Sequence, residues 1–423
     1  MLILRRKEDY KNIPKDKQEI INKYLTNASR AAPFYENKFG NSPISISNYY
    51  NLPLLRPSDL IESPDSLVAD SKSVVQVCSS SGTCGGHKLI FRTMNDIELN
   101  VESSKNILSF CGIKKSDKIL LAQPFDMWGF GHDVLRAFQN LGSLSYPVGL
   151  SGTPEFGLWL LSERGCNILF TTPSKAVFIA ELALNKDLLR KVKVDCVLSA
   201  GEGVIQVQRE RIKELLGAEI FGTYGCEETS GISSECSCHD GYHITDDNII
   251  IEVLDEETLM PCEGNKGAIA LTKLFYTGTV MLRYLIGDLV EIEETPCRCG
   301  RSGPRLRVLG RAKELSCVEN YEVPLFFKVP LAAIEGAIKS VMGYLPIYQI
   351  IVKKGEKKAL LSIKIHSINP IEGNMCDKIA ESILTLKIAD FDYDIEVQIS
   401  DSIVQFQTTL RGKMPKVLDW TKK

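Results

Sequence analysis

From about residue 72 the chain alternates short apolar runs with longer amphipathic stretches, and this rhythm restricts its fold more than any other feature. The runs at 118–122, 168–171, 194–200 and 219–223 are short enough for buried strands. Between them a helix is expected after Pro173, a proline suited to a first helical turn, and another over 205–216. Strands separated by helices imply crossover connections, so the pattern predicts an α/β core with a mainly parallel sheet. Ahead of it, residues 17–39 read as one helix with Ile20, Ile21, Tyr24 and Leu25 at apolar positions.

The rhythm changes twice. From about residue 248 strands are expected at 248–254, 268–273 and 280–285, joined by turns with little helix, which suggests a β subdomain over about 245–311. After Gly310-Arg311 the pattern becomes helix (330–342), strands (347–353 and 358–366), helix (371–386) and strand (393–399). A chain of 423 residues exceeds one ordinary domain. The expectation is therefore a large multi-subdomain α/β domain, 1–311, with mixed sheets and helices, followed by a small α+β domain, 312–423.

Fifty basic and 53 acidic residues give a net charge of -3, with no electrostatic footing for a nucleic-acid partner. No apolar run reaches the roughly 18 residues of a membrane span. The opening MLILRRKEDYKN lacks the apolar core of a signal peptide, so a cytoplasmic location is expected. Thirteen cysteines in such a chain do not read as a disulfide scaffold. Cys111, Cys166 and Cys196 lie in apolar contexts and read as small buried hydrophobes.

Residues 75–93, VQVCSSSGTCGGHKLIFRT, place a strand on either side of a glycine-rich turn. Gly82, Gly85 and Gly86 let backbone N–H groups converge, Ser80, Ser81 and Thr83 add hydroxyls, and Lys88 adds charge. Such a loop suits a polyphosphate. It is not a Walker loop, because the GK[ST] ending and the following helix are missing.

Four further segments follow in order: LSAGEGV (198–204), FGTYGCEET (221–229), RYLIGD (283–288) with Gly310-Arg311 behind it, and TTLRGKMPKVL (408–418). Together with the glycine-rich loop, the set resembles the adenylate-forming superfamily of acyl-CoA synthetases, adenylation domains and luciferases. Within it the set looks most like the phenylacetate–CoA ligase family. The resemblance implies that the 80–88 loop holds ATP phosphates and that Gly201 and Glu202 lie against adenine. It implies that Tyr224, followed by Gly225, stacks near the base, and that Glu228 holds Mg²⁺. Asp288 would accept from the ribose hydroxyls, a task for an acceptor-only carboxylate. Arg311 would contact ribose or phosphate, Lys313 would be the hinge, and Lys413 would enter the site during adenylation. The chain departs from the family at Cys84 (usually Thr), His87 (usually Pro) and Glu227 (usually a hydroxyl residue).

Two clusters, ECSCHDGYH (235–243) and PCRCG (296–300), carry six soft ligands: Cys236, Cys238, His239, His243, Cys297 and Cys299. Zinc takes four of this kind. The resemblance selects Cys236, His243, Cys297 and Cys299, with Cys238 and His239 as spares. Four protein ligands leave no open position, so the zinc would be structural.

The expected reaction is ATP-dependent activation of a carboxylic acid, aryl or arylacetic, followed by thioester formation with coenzyme A. The expected pocket lies near 125–150 and 200–225, where Phe125, Trp128, Phe130, Phe138 and Tyr146 serve equally well as core and His132 as a structural histidine. Two alternatives stay open: transfer of the acyl group to an amine or a carrier protein, and a degenerate acyl-AMP-binding protein. A homodimer is also open.

Overall fold

The computed structural model describes the chain apart from residues 7, 40–42, 82–86, 150–151, 263, 312–317, 320–325, 328–330, 344–345, 355–358, 367–372, 387–392, 401–416 and 420–423; the side chains of residues 39, 81, 311, 318–319, 326–327, 331–332, 354, 359 and 417–419 are also outside the description. The chain forms two compact units, one of residues 1–149 and 221–309, the other of 150–220 and 310–423.

The first unit is built on a sheet in the order Leu2–Leu4, Ile249–Leu254, Lys266–Lys273, Tyr284–Glu293, Arg305–Arg311, Tyr242–Ile244, Ser230–Glu235, Glu219–Cys226. Leu2–Leu4 runs parallel to Ile249–Leu254, with Leu2 opposite Ile250, and Ile249–Leu254 pairs antiparallel with Lys266–Lys273, Ile249 opposite Lys273. Successive side chains point to opposite faces. Ile249, Ile251 and Val253 join one apolar core with Ile269, Leu271 and Val290, while Ile250 joins a second core with Tyr35, Tyr49, Leu55 and Tyr284. Both faces are covered, which is why this strand is apolar at every position except Glu252, whose buried carboxylate accepts from Arg283.

In the same unit a hairpin pairs Val74–Ser81 with His87–Thr93, Ser81 opposite His87. The helix Met94–Phe110 starts directly after it. Thr93 and Asp96 form a capping box there, and Asp96 also accepts from the Thr277 and Gly278 N–H groups, at 2.8 and 2.9 Å. Such a cap is worth about 1 kcal/mol. The strands Lys118–Leu121 and Leu144–Pro147 are parallel, joined through the helix Gly129–Leu141.

The second unit contains the expected crossover: Ile168–Thr171, helix Pro173–Asn185, then parallel strand Cys196–Ser199. Pro173 stands in the first turn and the Thr172 hydroxyl caps the Lys175 N–H. Its second segment shows the expected order of helix Leu331–Met342, strands Ile347–Lys354 and Ala359–His366, helix Met375–Thr385 and strand Tyr393–Ser400. Ile334, Ile338, Ile350, Ile363, Ile379 and Ile383 belong to a core drawn entirely from this segment.

Two sequence expectations differ in detail. The helix expected over 17–39 is two helices, Lys15–Ala31 and Pro33–Phe39, because the residue before a proline is driven out of the helical region and Ala32 is extended. The strand expected at 280–285 begins at Tyr284, because Arg283 has a φ of 52° and turns the chain just before it. No helix among the described residues is long and apolar enough to cross a membrane, and no disulfide joins the described cysteines.

Candidate active site and candidate metal centre

The first unit brings three of the singled-out segments together. Glu228 follows the end of the Glu219–Cys226 strand and is 2% exposed. Its Oε1 accepts from the Tyr284 hydroxyl (2.8 Å), the Ser80 hydroxyl (3.3 Å) and the Lys88 ammonium. Lys88 also donates to the Tyr284 hydroxyl at 3.2 Å. Burial alone would push the Glu228 carboxyl up, but the charge and hydrogen bond of Lys88, with the bond from Tyr284, hold it below the usual carboxylate range. The site thus keeps a charged carboxylate beside a lysine at the mouth of the glycine-rich turn. An ionised carboxylate oxygen is the donor a hard cation such as Mg²⁺ requires.

Tyr224 and Asp288 form a second pair: the Tyr224 hydroxyl donates to Asp288 Oδ2 at 2.8 Å. Asp288 lies within the Tyr284–Glu293 strand, four residues beyond Tyr284, so one strand supplies a group to each pair.

Glu227 faces elsewhere. Its Oε1 accepts from the Gly129 N–H at 2.6 Å, at the start of the Gly129–Leu141 helix. Burial pushes its carboxyl up to about 8, against the opposing charge of Arg92. Arg92 donates to Asp133 at 2.5 Å, and the Ser230 hydroxyl donates to the other Asp133 oxygen at 3.3 Å. A Cβ at Gly129 would run into Arg92 Nη1 and come within 2.8 Å of Cys78 Sγ and Glu227 Oε1, so a larger residue there would have to displace this buried group. Of the aromatic residues around this helix, Trp128, Phe130 and Phe138 are buried as core. His132 is held by the Phe125 carbonyl at 2.5 Å, a structural setting.

In the second unit Gly201 has a φ of 90°, a conformation that favours glycine. The Glu202 carboxylate accepts from the Ser174 hydroxyl and N–H, at 2.6 and 3.3 Å. Gly82, Thr83, Gly85, Lys313 and Lys413 lie outside the described residues, as do the side chains of Ser81 and Arg311.

The four chosen soft ligands converge. Cys236, His243, Cys297 and Cys299 each offer a ligand atom, all within 4.8 Å of one another. Cys236 Sγ lies 3.6 Å from Cys297 Sγ, and Cys299 Sγ lies 3.5 Å from His243 Nε2. Tetrahedral zinc with sulfur at about 2.3 Å spaces its ligands about 3.7 Å apart, so the donor set fits. Cys238 and His239 are not in the group. Arg305, fully buried, ties the two loops by donating to Asp240 Oδ2 at 2.7 Å and to the Thr295 carbonyl at 3.0 Å.

Sequence reasoning missed Tyr284, Arg92 and Asp133. The Tyr of RYLIGD was the available signal for the first; nothing local marks the other two as partners.

A glycine-rich hairpin, a buried Glu–Lys–Tyr cluster and a Tyr–Asp pair on one α/β unit define a protein with a polar site suited to a nucleotide. The family model described as AMP-binding enzyme matches residues 4–285, and the chain belongs to that family. It is 24% identical to the phenylacetate-coenzyme A ligase of Thermus thermophilus over 98% of this chain and 99% of that protein. It is also 24% identical to the phenylacetate-coenzyme A ligase of Escherichia coli, over 81% of this chain and 79% of that one. Among solved structures it resembles 2-hydroxyisobutyryl-CoA ligase in its postadenylation state in complex with R3-HIB-AMP, with a TM-score of 0.76, 20% identity, and coverage of 96% of this chain and 90% of that one. At that identity the likeness speaks for the fold.

Proposed function

We propose that the chain is an AMP-forming acid–thiol ligase: it activates a carboxylic acid, aryl or arylacetic, as its acyl-adenylate and passes the acyl group to coenzyme A. The observation that carries this reading is the charged Glu228 held among Lys88, Tyr284 and Ser80 in a chain whose full-length relative bears the name of a phenylacetate-coenzyme A ligase.

In the first half-reaction the substrate carboxylate attacks the α-phosphorus of ATP and pyrophosphate leaves. Lys88 and the 80–85 turn hold the phosphates, Asp288 and Tyr224 position the ribose and base, and Gly201, Glu202 and Arg311 are assigned to the same nucleotide. Glu228 would hold Mg²⁺, which when bound neutralises phosphate charge. Lys413 is assigned to the α-phosphate, where a cation stabilises charge as it develops. In the second half-reaction the coenzyme A thiolate attacks the acyl carbon and AMP leaves. We assign residues 312–423 as a lid that turns about Lys313 between the two steps; its separate apolar core supports this. Cys236, His243, Cys297 and Cys299 would hold a structural zinc. We assign the reaction to the cytoplasm, the compartment that supplies ATP and coenzyme A.

The test is incubation with ATP, Mg²⁺, coenzyme A and a panel of acids, followed by mass spectrometry. Acyl-CoA and AMP in equal amounts are expected. Acyl-adenylate that coenzyme A does not discharge would move the acceptor to an amine or carrier protein, and absence of any adenylate would leave a binding protein.

A further inference from the structure

A buried carboxamide costs free energy unless its donor and acceptor both find partners. Gln123 is 1% exposed, yet neither its Oε1 nor its Nε2 has a hydrogen-bond partner. It stands just past the strand Lys118–Leu121, at the carboxyl end where open parallel sheets take their ligands. The turn it opens, 123–128, is gripped by two segments of the candidate site. The Ser79 N–H, on the strand leading into the glycine-rich turn, donates to the Met127 carbonyl at 2.8 Å. From the other side Glu227, the neighbour of Glu228, accepts from the Gly129 N–H at 2.6 Å. Glu227 Oε2 is also buried without a partner. An unpaired carboxamide and an unpaired carboxyl oxygen therefore flank a single turn.

We propose that Gln123 and Glu227 read a polar substituent on the acid, so that the substrate is a carboxylic acid whose body carries a hydroxyl or amino group. This rests on the ligase reading and narrows its acid class. A hydroxyl both donates and accepts, which matches a carboxamide, and the Glu227 carboxyl, kept protonated by burial and with Oε1 taken by the Gly129 N–H, offers an O–H from Oε2 to a substrate oxygen or amine nitrogen. An unsubstituted hydrocarbon body would leave all three buried atoms unsatisfied. Sites built around a substrate hydroxyl discriminate strongly against the analogue lacking it, because their own polar groups are then stranded.

The experiment compares matched acids, phenylacetate with its hydroxy and amino derivatives and short aliphatic acids with their hydroxy counterparts, by acid-dependent pyrophosphate exchange into ATP. The wild-type chain should favour the substituted member of a pair by about tenfold or more in kcat/KM. Gln123→Leu, of similar size, should bring that ratio towards one, and Glu227→Thr should do the same. The ratio is a readout that a purely structural carboxamide would not move. Equal use of substituted and plain acids by the wild type, or an unchanged ratio in Gln123→Leu, overturns the proposal while leaving the ligase reading in place. The wild-type ratio decides the matter alone if neither variant folds. Exchange with no acid at all overturns the ligase reading and this inference with it.

Discussion

Glu228 owes its charge to its neighbours. Lys88 and Tyr284 outweigh the burial that would otherwise keep a proton on it. Lys88→Met removes the larger of the two stabilising partners, so the carboxyl pKa rises. A carboxylate whose pKa is depressed loses its charge as pH falls through that pKa; raising the pKa moves this loss to higher pH. Activity of Lys88→Met should therefore fall about tenfold or more at neutral pH, and the acidic limb of its pH–rate profile should shift upward. A profile that drops uniformly without shifting would mean Lys88 acts only on phosphate. At this scale the sequence revealed residue types better than partnerships. Ser80, Lys88, Tyr224, Glu228 and Asp288 were singled out from three short segments, whereas Lys88 and Glu228 stand 140 positions apart and no local pattern announces their ion pair. Arg92 and Asp133 stayed unread for the same reason, and Gln123 because an orphaned carboxamide is visible only once the chain is folded.

Elements were readable where periodicity and punctuation agree. Pro173 marks a helix start, whereas the Thr93 and Asp96 capping box that opens Met94–Phe110 stayed unread and the left-handed Arg283 hides the true start of the Tyr284 strand. The soft-ligand loops were legible as two clusters, but their meeting depends on the neighbouring strands Arg305–Arg311 and Tyr242–Ile244, where His243 faces Arg305. If these loops are closed by zinc, metal analysis should find about one zinc per chain. Cys299→Ser should lose it and lower Tm by about 4 °C or more. A zinc-free preparation with the same Tm would contradict the assignment. A second element-scale contact joins strand Ala359–His366 to helix Pro173–Asn185. Both ring nitrogens of His366 face oxygens, Glu181 Oε1 at 3.0 Å and the Ser400 carbonyl at 3.2 Å, so only the doubly protonated ring satisfies both. Burial lowers the imidazole pKa, but Glu181 and the Ser400 carbonyl raise it further, to a net position above the ordinary 6.5. The contribution to stability is then complete below the unfolded-state pKa and disappears as pH rises through the folded-state value. Chemical denaturation across pH 6–9 should show the wild type losing stability relative to His366→Gln as pH rises; parallel curves would refute this.

For the molecule as a whole, the family match covers residues 4–285, and the apolar core after residue 330 is drawn from its own segment; the proposed lid predicts that the two half-reactions can be separated by mutation. Lys413 lies outside the described residues, so its role is best read from half-reactions. Lys413→Ala should slow adenylation by about a hundredfold or more while still converting supplied acyl-adenylate and coenzyme A to thioester. Equal loss of both halves would place the lysine in the common machinery and remove the argument for a swinging lid.

The most direct test of a nucleotide-activating site built around Glu228 is acid-dependent exchange of labelled pyrophosphate into ATP. The wild-type chain should exchange label only when both a carboxylic acid and Mg²⁺ are present, and Glu228→Gln should lose about a hundredfold or more of that rate while remaining folded. Exchange that persists undiminished in Glu228→Gln, or a folded wild-type chain that exchanges no label with any acid, would contradict the account.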